Sequence, residues 1–355
     1  MKVLHVTATD APRGAERRAL DLADALQRLG IPSEIRAVCA SGRPDALPIQ
    51  ALRGGRFHPG GLLELRRFLA RADVAIAYGS SALPATALAS IGSTTPFVYR
   101  SIGDPLYWSN TRARRWRTAA WLRRAAAVTV LWSGPASTYA EHFGVPPAKV
   151  SVLPSGVDTR RFPAATPESR SAARRALGLS DDGHVLACVG SLSPEKRVDR
   201  AIDVVTQLDD VILLVAGDGP ERRQLTARAD ALVPGRVRFL GNVDEPSQVY
   251  AAADALLLTS DTEGLPGVVI EAALCGRPAI ATRVGGVSDA VVDGRTGATA
   301  PRDDIPGLIR AARVVLNDSV ALGAAAREHC LARYDVEVIV GRWAALLSRV
   351  VAGPA

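Results

Sequence analysis

The stretch DTEGLPGVVIEAALCGRPAIAT, from Asp261 to Thr282, decides the fold. It follows a short apolar run at 255–259, which is typical of a buried parallel strand. Helical spacing over 268–274 ends at Gly276-Arg277-Pro278, and the apolar residues 279–281 begin another strand. The stretch therefore predicts a strand, a loop, a helix and a second strand, which is the repeating unit of an α/β sheet.

The predicted turn before this helix consists of small and apolar residues: Gly264, Leu265, Pro266 and Gly267. Pro266 suits the first helical position, because an N–H there would have no intrahelical acceptor. The two glycines would let a ligand approach the N–H groups at the helix start, which favour a diphosphate. Carboxylates repel phosphate, so we expect Glu263 and Glu271 to bind other groups, such as sugar hydroxyls.

The spacing of Glu263 and Glu271 within EGLPGVVIEAALCGRPAIAT resembles the E-x7-E motif of the retaining, nucleotide-sugar-dependent glycosyltransferases of family 4, which have the GT-B fold. The resemblance covers nearly the whole chain and is strongest from Val185 to Gly297. It implies that Glu263 is catalytic and binds the donor sugar, that Glu271 binds the ribose, and that residues 264–267 line the donor site. The alternative is two surface glutamates on an ordinary βα unit.

The length of 355 residues favours two domains. Apolar strand patterns alternate with helical patterns in both halves, and a polar, proline-containing linker lies at 159–171. We predict an α/β, GT-B fold with two Rossmann-like, doubly wound parallel-sheet domains that face a cleft. The acceptor-side domain would span 1–165 and the nucleotide-sugar donor domain 166–335, with a last helix, about 336–352, packing back on the first domain.

Composition predicts a globular protein, with 48% hydrophobic and 22% charged residues. Four cysteines form no C-x-x-C pair, which favours free thiols in a reducing cytoplasm. The opening MKVLHVTATD reads as a strand instead of a signal peptide, and no apolar run approaches the roughly 20 residues of a membrane span. The expected location is the cytoplasm, including the inner face of the membrane.

The net charge of +7 suits anionic ligands, namely a nucleotide diphosphate, a membrane surface or nucleic acid. An arginine-rich composition from a GC-rich genome is the alternative explanation. Zinc-ligand spacing, RNP-like aromatic segments and basic regions with heptads do not occur in the sequence. We therefore predict no nucleic-acid partner.

The first strand, 2–8, leads into a turn and an amphipathic helix, RGAERRALDLADALQRLG. This segment resembles the GGAE-type opening of the family, in which the glycine backbone approaches the donor. Gly14 matches that glycine, and Arg13 stands where a second glycine is usual. The resemblance places both residues in the donor site, and the alternative is a plain helix-initiating turn. The segment lacks the G-x-G-x-x-G dinucleotide fingerprint.

A second glycine turn, GSLSPEKR, follows the strand Val185–Val189. In the family this turn supplies an arginine directly after the glycine and a lysine, which bind the leaving diphosphate. Lys196 matches the lysine, whereas Ser191 replaces the arginine. Arg197 is a candidate for the missing charge, because guanidinium suits phosphate. Ordinary surface cations are the alternative for both.

Another strand, 237–241, precedes Asn242 and Val243. In relatives the backbone after this strand meets the nucleobase, so the resemblance assigns these two residues to the donor site.

The acceptor side departs from the family at FVYRSIGDP, residues 97–105, where a histidine is often found and none occurs here. Asp104 is the nearest group able to accept a proton and Arg100 is the nearest cation. Asp104 could equally be a turn-forming residue before Pro105. Further on, the cluster Arg112–Arg124 carries tryptophans. It fits either a peripheral membrane contact or a solvated helix.

The resemblance implies a metal-independent, retaining transfer from a nucleotide diphosphate sugar to an acceptor hydroxyl, with no cofactor. Lysine would stabilise the leaving diphosphate in place of a metal, and the sequence carries no D-x-D pair. Two alternatives are a catalytically weak, sugar-nucleotide-binding partner of another transferase and a nucleotide-sugar epimerase. The nucleobase, sugar, acceptor and oligomeric state stay open at this stage.

Overall fold

The computed structural model describes residues 1–55, 57–103 and 105–353, apart from the side chain of residue 107. The chain divides into unit 1, Met1–Gly156 together with the residues from Val336 onward, and unit 2, Val157–Asp335. The boundary lies earlier than the predicted one after residue 165. The reason is that Val157 forms a bridge with Asp335 and Phe162 packs in the core of unit 2.

In its described part, unit 1 contains a seven-stranded parallel sheet with helices between the strands. The strands are β1 (Val3–Thr9), β2 (Ser33–Cys39), β3 (Gln50–Ala51), β4 (Val74–Tyr78), β5 (Phe97–Arg100), β6 (Ala127–Val130) and β7 (Val150–Val152). The helices are α1 (Gly14–Arg28), α2 (Pro59–Leu69), α3 (Gly79–Ala89), α4 (Pro105–Trp108), α5 (Arg112–Leu122) and α6 (Gly134–Phe143).

The strand order of unit 1 is β3-β2-β1-β4-β5-β6-β7, so the order reverses between β1 and β4. Alternate residues of β4 face opposite sides: Ala75 and Ala77 belong to one apolar cluster, Val74 and Ile76 to the other. Both faces are covered, which explains why this strand is apolar throughout. The chain's last helix, Val336–Ala352, packs in the second cluster through the fully buried Trp343 and therefore belongs to unit 1.

Unit 2 has the same construction. Its strands are β8 (His184–Val189), β9 (Val211–Ala216), β10 (Val237–Gly241), β11 (Ala255–Leu258), β12 (Ala279–Thr282) and β13 (Gly297–Ala300). Its helices are α7 (Pro167–Ala176), α8 (Val198–Thr206), α9 (Arg222–Leu232), α10 (Ser247–Ala252), α11 (Gly267–Leu274), α12 (Val287–Ala290), α13 (Ile305–Asn317) and α14 (Ser319–Tyr334), after which the last helix is α15.

The six strands described in unit 2 are parallel, in the order β10-β9-β8-β11-β12-β13. The order reverses between β8 and β11, which are hydrogen-bonded neighbours. In open α/β sheets the crevice outside the carboxyl ends of such a strand pair is where ligands bind. The predicted fold class, two Rossmann-like parallel-sheet domains, is confirmed.

The four cysteines, Cys39, Cys188, Cys275 and Cys330, all lie in the described ranges and carry free thiols. Among the helices that the structure describes, none has both the length and the apolarity of a membrane-spanning segment.

Candidate functional site

The predicted stretch lies at the strand reversal of unit 2. The loop after β8 runs from Gly190 to Arg197, and the loop after β11 runs from Thr259 to Pro266. Hydrogen bonds join the two loops: the backbone N–H of Asp261 donates to the carbonyl of Glu195 at 2.8 Å, and Thr259 Oγ1 donates to the carbonyl of Arg197 at 2.8 Å. The two loops are thereby held as one surface at the carboxyl ends of the strands.

Lys196 and Glu263 meet on this surface. Lys196 Nζ donates to Glu263 Oε1 at 2.8 Å, and the hydroxyl of Ser260 donates to the same oxygen at 2.6 Å. The Glu263 side chain is 9% exposed and that of Lys196 is 28% exposed, so the pair is partly withdrawn from water. An ammonium group has three donor hydrogens, so Lys196 can hold Glu263 and still donate to a ligand.

A buried tyrosine hydroxyl holds one carboxylate oxygen of Glu271. The hydroxyl of Tyr250 donates to Glu271 Oε2 at 3.0 Å, and Tyr250 is fully buried. Burial raises the pKa of Tyr250, and the charge of Glu271 raises it further, so the phenol stays protonated and remains a donor. The other carboxylate oxygen, Oε1, lies 3.6 Å from where a Cβ on Gly267 would be, over the first turn of α11. Of the two predicted glutamates, Glu263 thus lies in the loop before α11 and Glu271 lies within α11, with one oxygen over the first turn of that helix.

α11 begins at Gly267, with Pro266 as its N-cap residue in extended conformation (φ −74°, ψ 109°). The sequence predicted Pro266 as the first helical residue. Its ψ is not helical, so the helix begins one residue later, at Gly267. The backbone N–H groups of Gly267 and Val268 find no acceptor in the described part of the chain. Unpaired N–H groups at a helix start attract anions.

A glycine pair after β12 supports this loop. The N–H of Gly286 donates to the carbonyl of Gly264 at 2.7 Å. Gly285 has φ +52°, and a Cβ there would collide with the carbonyl oxygen of Glu263. Glycine, which has no Cβ, is the residue that allows this approach, and it adopts the left-handed conformation without steric cost. The turn therefore fixes the backbone that carries Glu263.

Arg197 is bound to carboxylates. Its guanidinium contacts Asp199 at 2.8 Å and Asp261 at 3.4 Å, and its backbone is left-handed with φ 49°. Hydrogen bonding to Asp199 raises the pKa of Arg197. Arg200, nearly buried, also contacts Asp261, at 2.6 Å. Arg197 thus belongs to an ion-pair network, and its predicted role in replacing the charge missing at Ser191 remains a prediction.

The remaining predicted residues lie at several places. Ser191 is exposed and its hydroxyl is 3.0 Å from that of Ser193. Asn242 is exposed directly after β10, whereas Val243 is half-buried and packs against the core. Leu265 also packs against that core. The structure brings Lys196, Glu263, Gly264, Pro266, Gly267 and Glu271 together through the two loops and α11.

Three predicted residues belong to unit 1. Gly14 is the first residue of α1 and Arg13 its N-cap, and both are exposed at the carboxyl end of β1. Asp104 lies outside the described residues, so its role in accepting a proton remains a prediction. Arg100, the nearest cation in the sequence, is 4% exposed and lies over the Trp343 ring, with its guanidinium carbon 5.1 Å from the ring centroid.

Sequence reasoning missed the supporting residues Tyr250, Ser260, Asp261 and Gly285. Ser260 and Asp261 directly follow β11, and polar residues at a strand's carboxyl end are the signal that could have marked them. Tyr250 lies inside an apolar helix pattern and gave no signal. No group of three or more His, Cys, Asp or Glu side chains that could hold a metal occurs in the described ranges.

Two family descriptions match the chain: "Glycosyl transferases group 1" over residues 183–318 and "Glycosyltransferase Family 4" over residues 12–161. Among curated relatives, a GDP-mannose-dependent alpha-(1-6)-phosphatidylinositol monomannoside mannosyltransferase of Mycolicibacterium smegmatis is 30% identical over 304 residues, covering 80% of this chain and 79% of the relative.

Other relatives match over a shorter segment. A GDP-mannose-dependent monoacylated alpha-(1-6)-phosphatidylinositol monomannoside mannosyltransferase of Corynebacterium glutamicum is 36% identical over 53% of each chain. A D-inositol 3-phosphate glycosyltransferase of Geodermatophilus obscurus is 36% identical over 53% of this chain and 45% of its own. The chain thus spans about half the length of these two relatives.

Solved structures agree on the fold. Anabaena HepE, determined in complex with UDP, superposes with a TM-score of 0.86 at 22% identity, covering 98% of this chain and all of that one. WaaG, a glycosyltransferase involved in lipopolysaccharide biosynthesis, gives a TM-score of 0.69 at 21% identity, with 98% and 99% covered.

Proposed function

Because this chain belongs to the family 4, group 1 glycosyltransferases, we propose that it transfers a sugar, with retention of configuration, from a nucleotide diphosphate sugar to an acceptor hydroxyl. The observation that carries the proposal is the Lys196–Glu263 pair on the two loops at the strand reversal of unit 2. A cation, a carboxylate and unpaired helix N–H groups on one surface suit a ligand that joins a diphosphate to a sugar.

In this proposal the donor lies along the start of α11. Its diphosphate accepts from the N–H groups of Gly267 and Val268 and from Lys196 Nζ. Glu271, with one oxygen held by Tyr250, accepts hydrogen bonds from the ribose hydroxyls. Glu263 accepts from a sugar hydroxyl. Because both carboxylates are held by other protein groups, little conformational entropy is lost when the donor binds.

The proposed reaction breaks the bond between the anomeric carbon and the diphosphate oxygen and forms one to the acceptor oxygen on the same face. The acceptor proton passes to the departing phosphate oxygen. Negative charge grows on the diphosphate as the bond breaks, so a fixed cation stabilises the transition state more than the substrate. Lys196 supplies that cation, and no metal ion or cofactor enters the proposal.

The names of the relatives support a nucleotide-sugar donor and leave its nucleobase open. The M. smegmatis relative is described as GDP-mannose-dependent, whereas HepE was also solved with UDP-glucose. The acceptor of this chain is proposed only as a molecule that carries a hydroxyl group.

One observation favours a second candidate, a sugar-nucleotide-binding partner with weak activity of its own. Ser191 stands where the family has an arginine, and the neighbouring Arg197 is bound to Asp199 and Asp261. With one cation fewer at the diphosphate, the leaving group would be less stabilised. Donor hydrolysis or transfer by the purified chain separates this candidate from the main proposal.

α5 supports a peripheral membrane contact as part of the proposal. Arg112, Arg114 and Arg117 are exposed, and the Trp116 side chain is 71% exposed. Exposed arginines and a tryptophan suit an anionic lipid surface. Sedimentation with vesicles should show binding to phosphatidylglycerol and none to phosphatidylcholine. Equal sedimentation with both lipids, or with neither, would refute this contact.

A thermal-shift screen of UDP-, GDP-, ADP- and dTDP-sugars tests the main proposal. A ligand at about 100 times its Kd adds roughly 2.7 kcal/mol of stability, which gives a measurable rise in Tm. The sugar nucleotide that raises Tm is then incubated with the chain, and its products are analysed. Release or transfer of the sugar supports the proposal, whereas conversion to an epimeric sugar nucleotide, or no shift with any donor, overturns it.

A further inference from the structure

Unit 1 contains a cavity between α3 and α5. It has a volume of about 340 Å³, which is within the range of sites that bind small molecules. Ser80 and Ser81 line it from the first turn of α3, which directly follows β4. The strand order of unit 1 reverses between β1 and β4, so the cavity lies near the edge of the sheet where open α/β folds bind ligands.

α5 presents one face to this cavity. Arg114, Arg117 and Trp121 line it, and their spacing of three and four residues places them on the same side of the helix. Trp108, from α4, also lines the cavity and stacks on Phe143, with ring centroids 6.3 Å apart. Both tryptophans pack against the apolar cluster of unit 1. The cavity therefore has aromatic walls that the core holds in place.

The charge around the cavity is positive. Among the described residues, no aspartate or glutamate lines it. The segment 105–140 contains six arginines and neither aspartate nor glutamate. Arg117 is exposed and forms no hydrogen bond or ion pair with the described residues, and the Arg114 side chain donates there only to the amide oxygen of Asn110, a neutral group, at 3.2 Å. Because a guanidinium group has five N–H donors, both arginines can still donate to a ligand.

This combination of groups selects a class of ligand. Guanidinium groups bind phosphate, hydroxyl groups add further hydrogen bonds, and flat aromatic rings pack on the apolar face of a sugar ring. We propose that the cavity binds the acceptor of the transfer, and that this acceptor is a phosphorylated sugar or polyol. Its phosphate contacts Arg114 and Arg117, and its ring packs on Trp108 and Trp121. The inference rests on the proposed function in calling the ligand an acceptor, whereas the preference for phosphate rests on the cavity.

Phenyl phosphate is a suitable probe of the cavity, because it joins a phosphate to a flat apolar ring. Calorimetric titration of the full chain should show saturable binding of phenyl phosphate, and weaker binding of phenol and of inorganic phosphate. Arg114→Gln and Arg117→Gln should each weaken the binding of phenyl phosphate by about tenfold, because each removes a charge-assisted hydrogen bond. Both side chains are exposed, so the variants should fold, which thermal unfolding checks. A wild-type chain that does not bind phenyl phosphate, or that binds inorganic phosphate equally well, would overturn the proposal.

Arg123→Gln is the matched control. It removes the same charge from the C-terminal end of the same helix, and Arg123 does not line the cavity. Because salt screens distant charges, the affinity for phenyl phosphate should change by less than about twofold. Equal losses in Arg123→Gln and Arg117→Gln would show a general effect of charge and overturn the site. Binding that is lost in Lys196→Ala and kept in Arg117→Gln would place the phosphate in unit 2, which would also overturn it.

Displacement of the probe identifies the source of the phosphorylated group. Displacement of phenyl phosphate by glucose 6-phosphate would indicate an acceptor that is free in solution. Displacement by vesicles that contain phosphatidylglycerol, and not by phosphatidylcholine vesicles or glucose 6-phosphate, would indicate a lipid headgroup. Either result supports the proposal, and displacement by neither ligand overturns it.

Kinetics separates this proposal from the proposed transfer. With the displacing ligand as acceptor, Arg117→Gln should raise the KM for the acceptor by about tenfold with a smaller change in kcat. If the wild-type chain binds phenyl phosphate as predicted but neither hydrolyses nor transfers from any donor, the proposed transfer fails and the phosphate site remains. If the chain hydrolyses a donor but does not bind phenyl phosphate, the acceptor proposal alone is overturned.

Discussion

In both units, loops follow the strands at which the strand order reverses, but the side chains of these loops differ between the two units. In unit 2 the loops after β8 and β11 are joined by the Lys196–Glu263 pair and by the network around Asp261. In unit 1 the turn after β1 exposes Arg13 and Gly14, and a Cβ on Gly14 would meet no atom within 4 Å.

This difference indicates how the two loops can work. Side chains that are joined by ion pairs and hydrogen bonds hold a fixed geometry. Such a geometry suits a part of the substrate that is always the same, such as a diphosphate. The turn after β1 is itself held, because Asp10 accepts hydrogen bonds from the N–H groups of Ser41 and Leu47, but the space beside the exposed Gly14 is open and restricts a ligand less. We infer that unit 2 carries the invariant chemistry, and that the strand reversal by itself gives only the location of a site.

The largest expected effect comes from Lys196→Ala. It removes a preorganised donor that the proposal aims at the leaving diphosphate, so kcat should fall by about 10²–10³, or 2.7–4 kcal/mol, with a smaller rise in KM for the donor. Lys196→Arg should restore part of the loss. Steady-state kinetics on folded variants gives the measurement.

Arg197→Ala is the matched control, because Arg197 is bound to Asp199 and Asp261. Its kcat should fall by less than about tenfold, which corresponds to 1.4 kcal/mol. A fall equal to that of Lys196→Ala would show instead that Arg197 replaces the arginine missing at Ser191. Full turnover in Lys196→Ala would mean that another group holds the diphosphate.

Glu263→Ala and Glu271→Ala should fail in different ways. Each loses a charged hydrogen bond worth about 1.5–3 kcal/mol. Glu263→Ala should mainly lower kcat, through the sugar, and Glu271→Ala should mainly weaken nucleotide binding, through the ribose. Calorimetry with the nucleoside diphosphate, alongside kinetics, distinguishes them, and near-wild-type behaviour in both variants would refute the donor assignment.

Alanine substitutions at two glycines, one in each unit, test the difference between the units directly. Gly285→Ala forces a Cβ against the carbonyl of Glu263 at φ +52°, so we expect a loss of about 1–3 kcal/mol in stability or donor affinity. Gly14→Ala meets open space at the start of a helix and should leave Tm within about 1 °C. Thermal unfolding with and without the donor measures both. If the two substitutions cost the same, the contrast between a braced and an open loop is wrong.

The smallest expected effect is that of metal removal. If protein cations neutralise the diphosphate, activity in excess EDTA should stay within about twofold of that in magnesium. A complete loss that a divalent ion restores would show that the cations of unit 2 are insufficient.

The fold could be predicted because both sheets are buried on both faces, which makes β4, β8 and β11 apolar runs between helical patterns. The unit boundary was harder to predict. It depends on the bridge between Val157 and Asp335, a pairing between residues far apart in the sequence.

The site was predicted where the residues themselves carry the signal, as with Glu263, Glu271 and Lys196. The residues that hold these side chains in place were not predicted, because Tyr250 reaches Glu271 from another helix and Gly285 contacts Glu263 from another loop. The direction in which the Arg197 side chain points also depends on its left-handed backbone, and no local sequence rule predicts that conformation for an arginine.

A structure of the chain with a bound nucleoside diphosphate tests the central claim most directly. We predict that the distal phosphate lies within hydrogen-bond distance of Lys196 Nζ and of the N–H groups of Gly267 and Val268, with the ribose on Glu271. A diphosphate bound instead at the Gly14 turn of unit 1, with Lys196 still paired only to Glu263, would contradict the assignment of the donor site to unit 2.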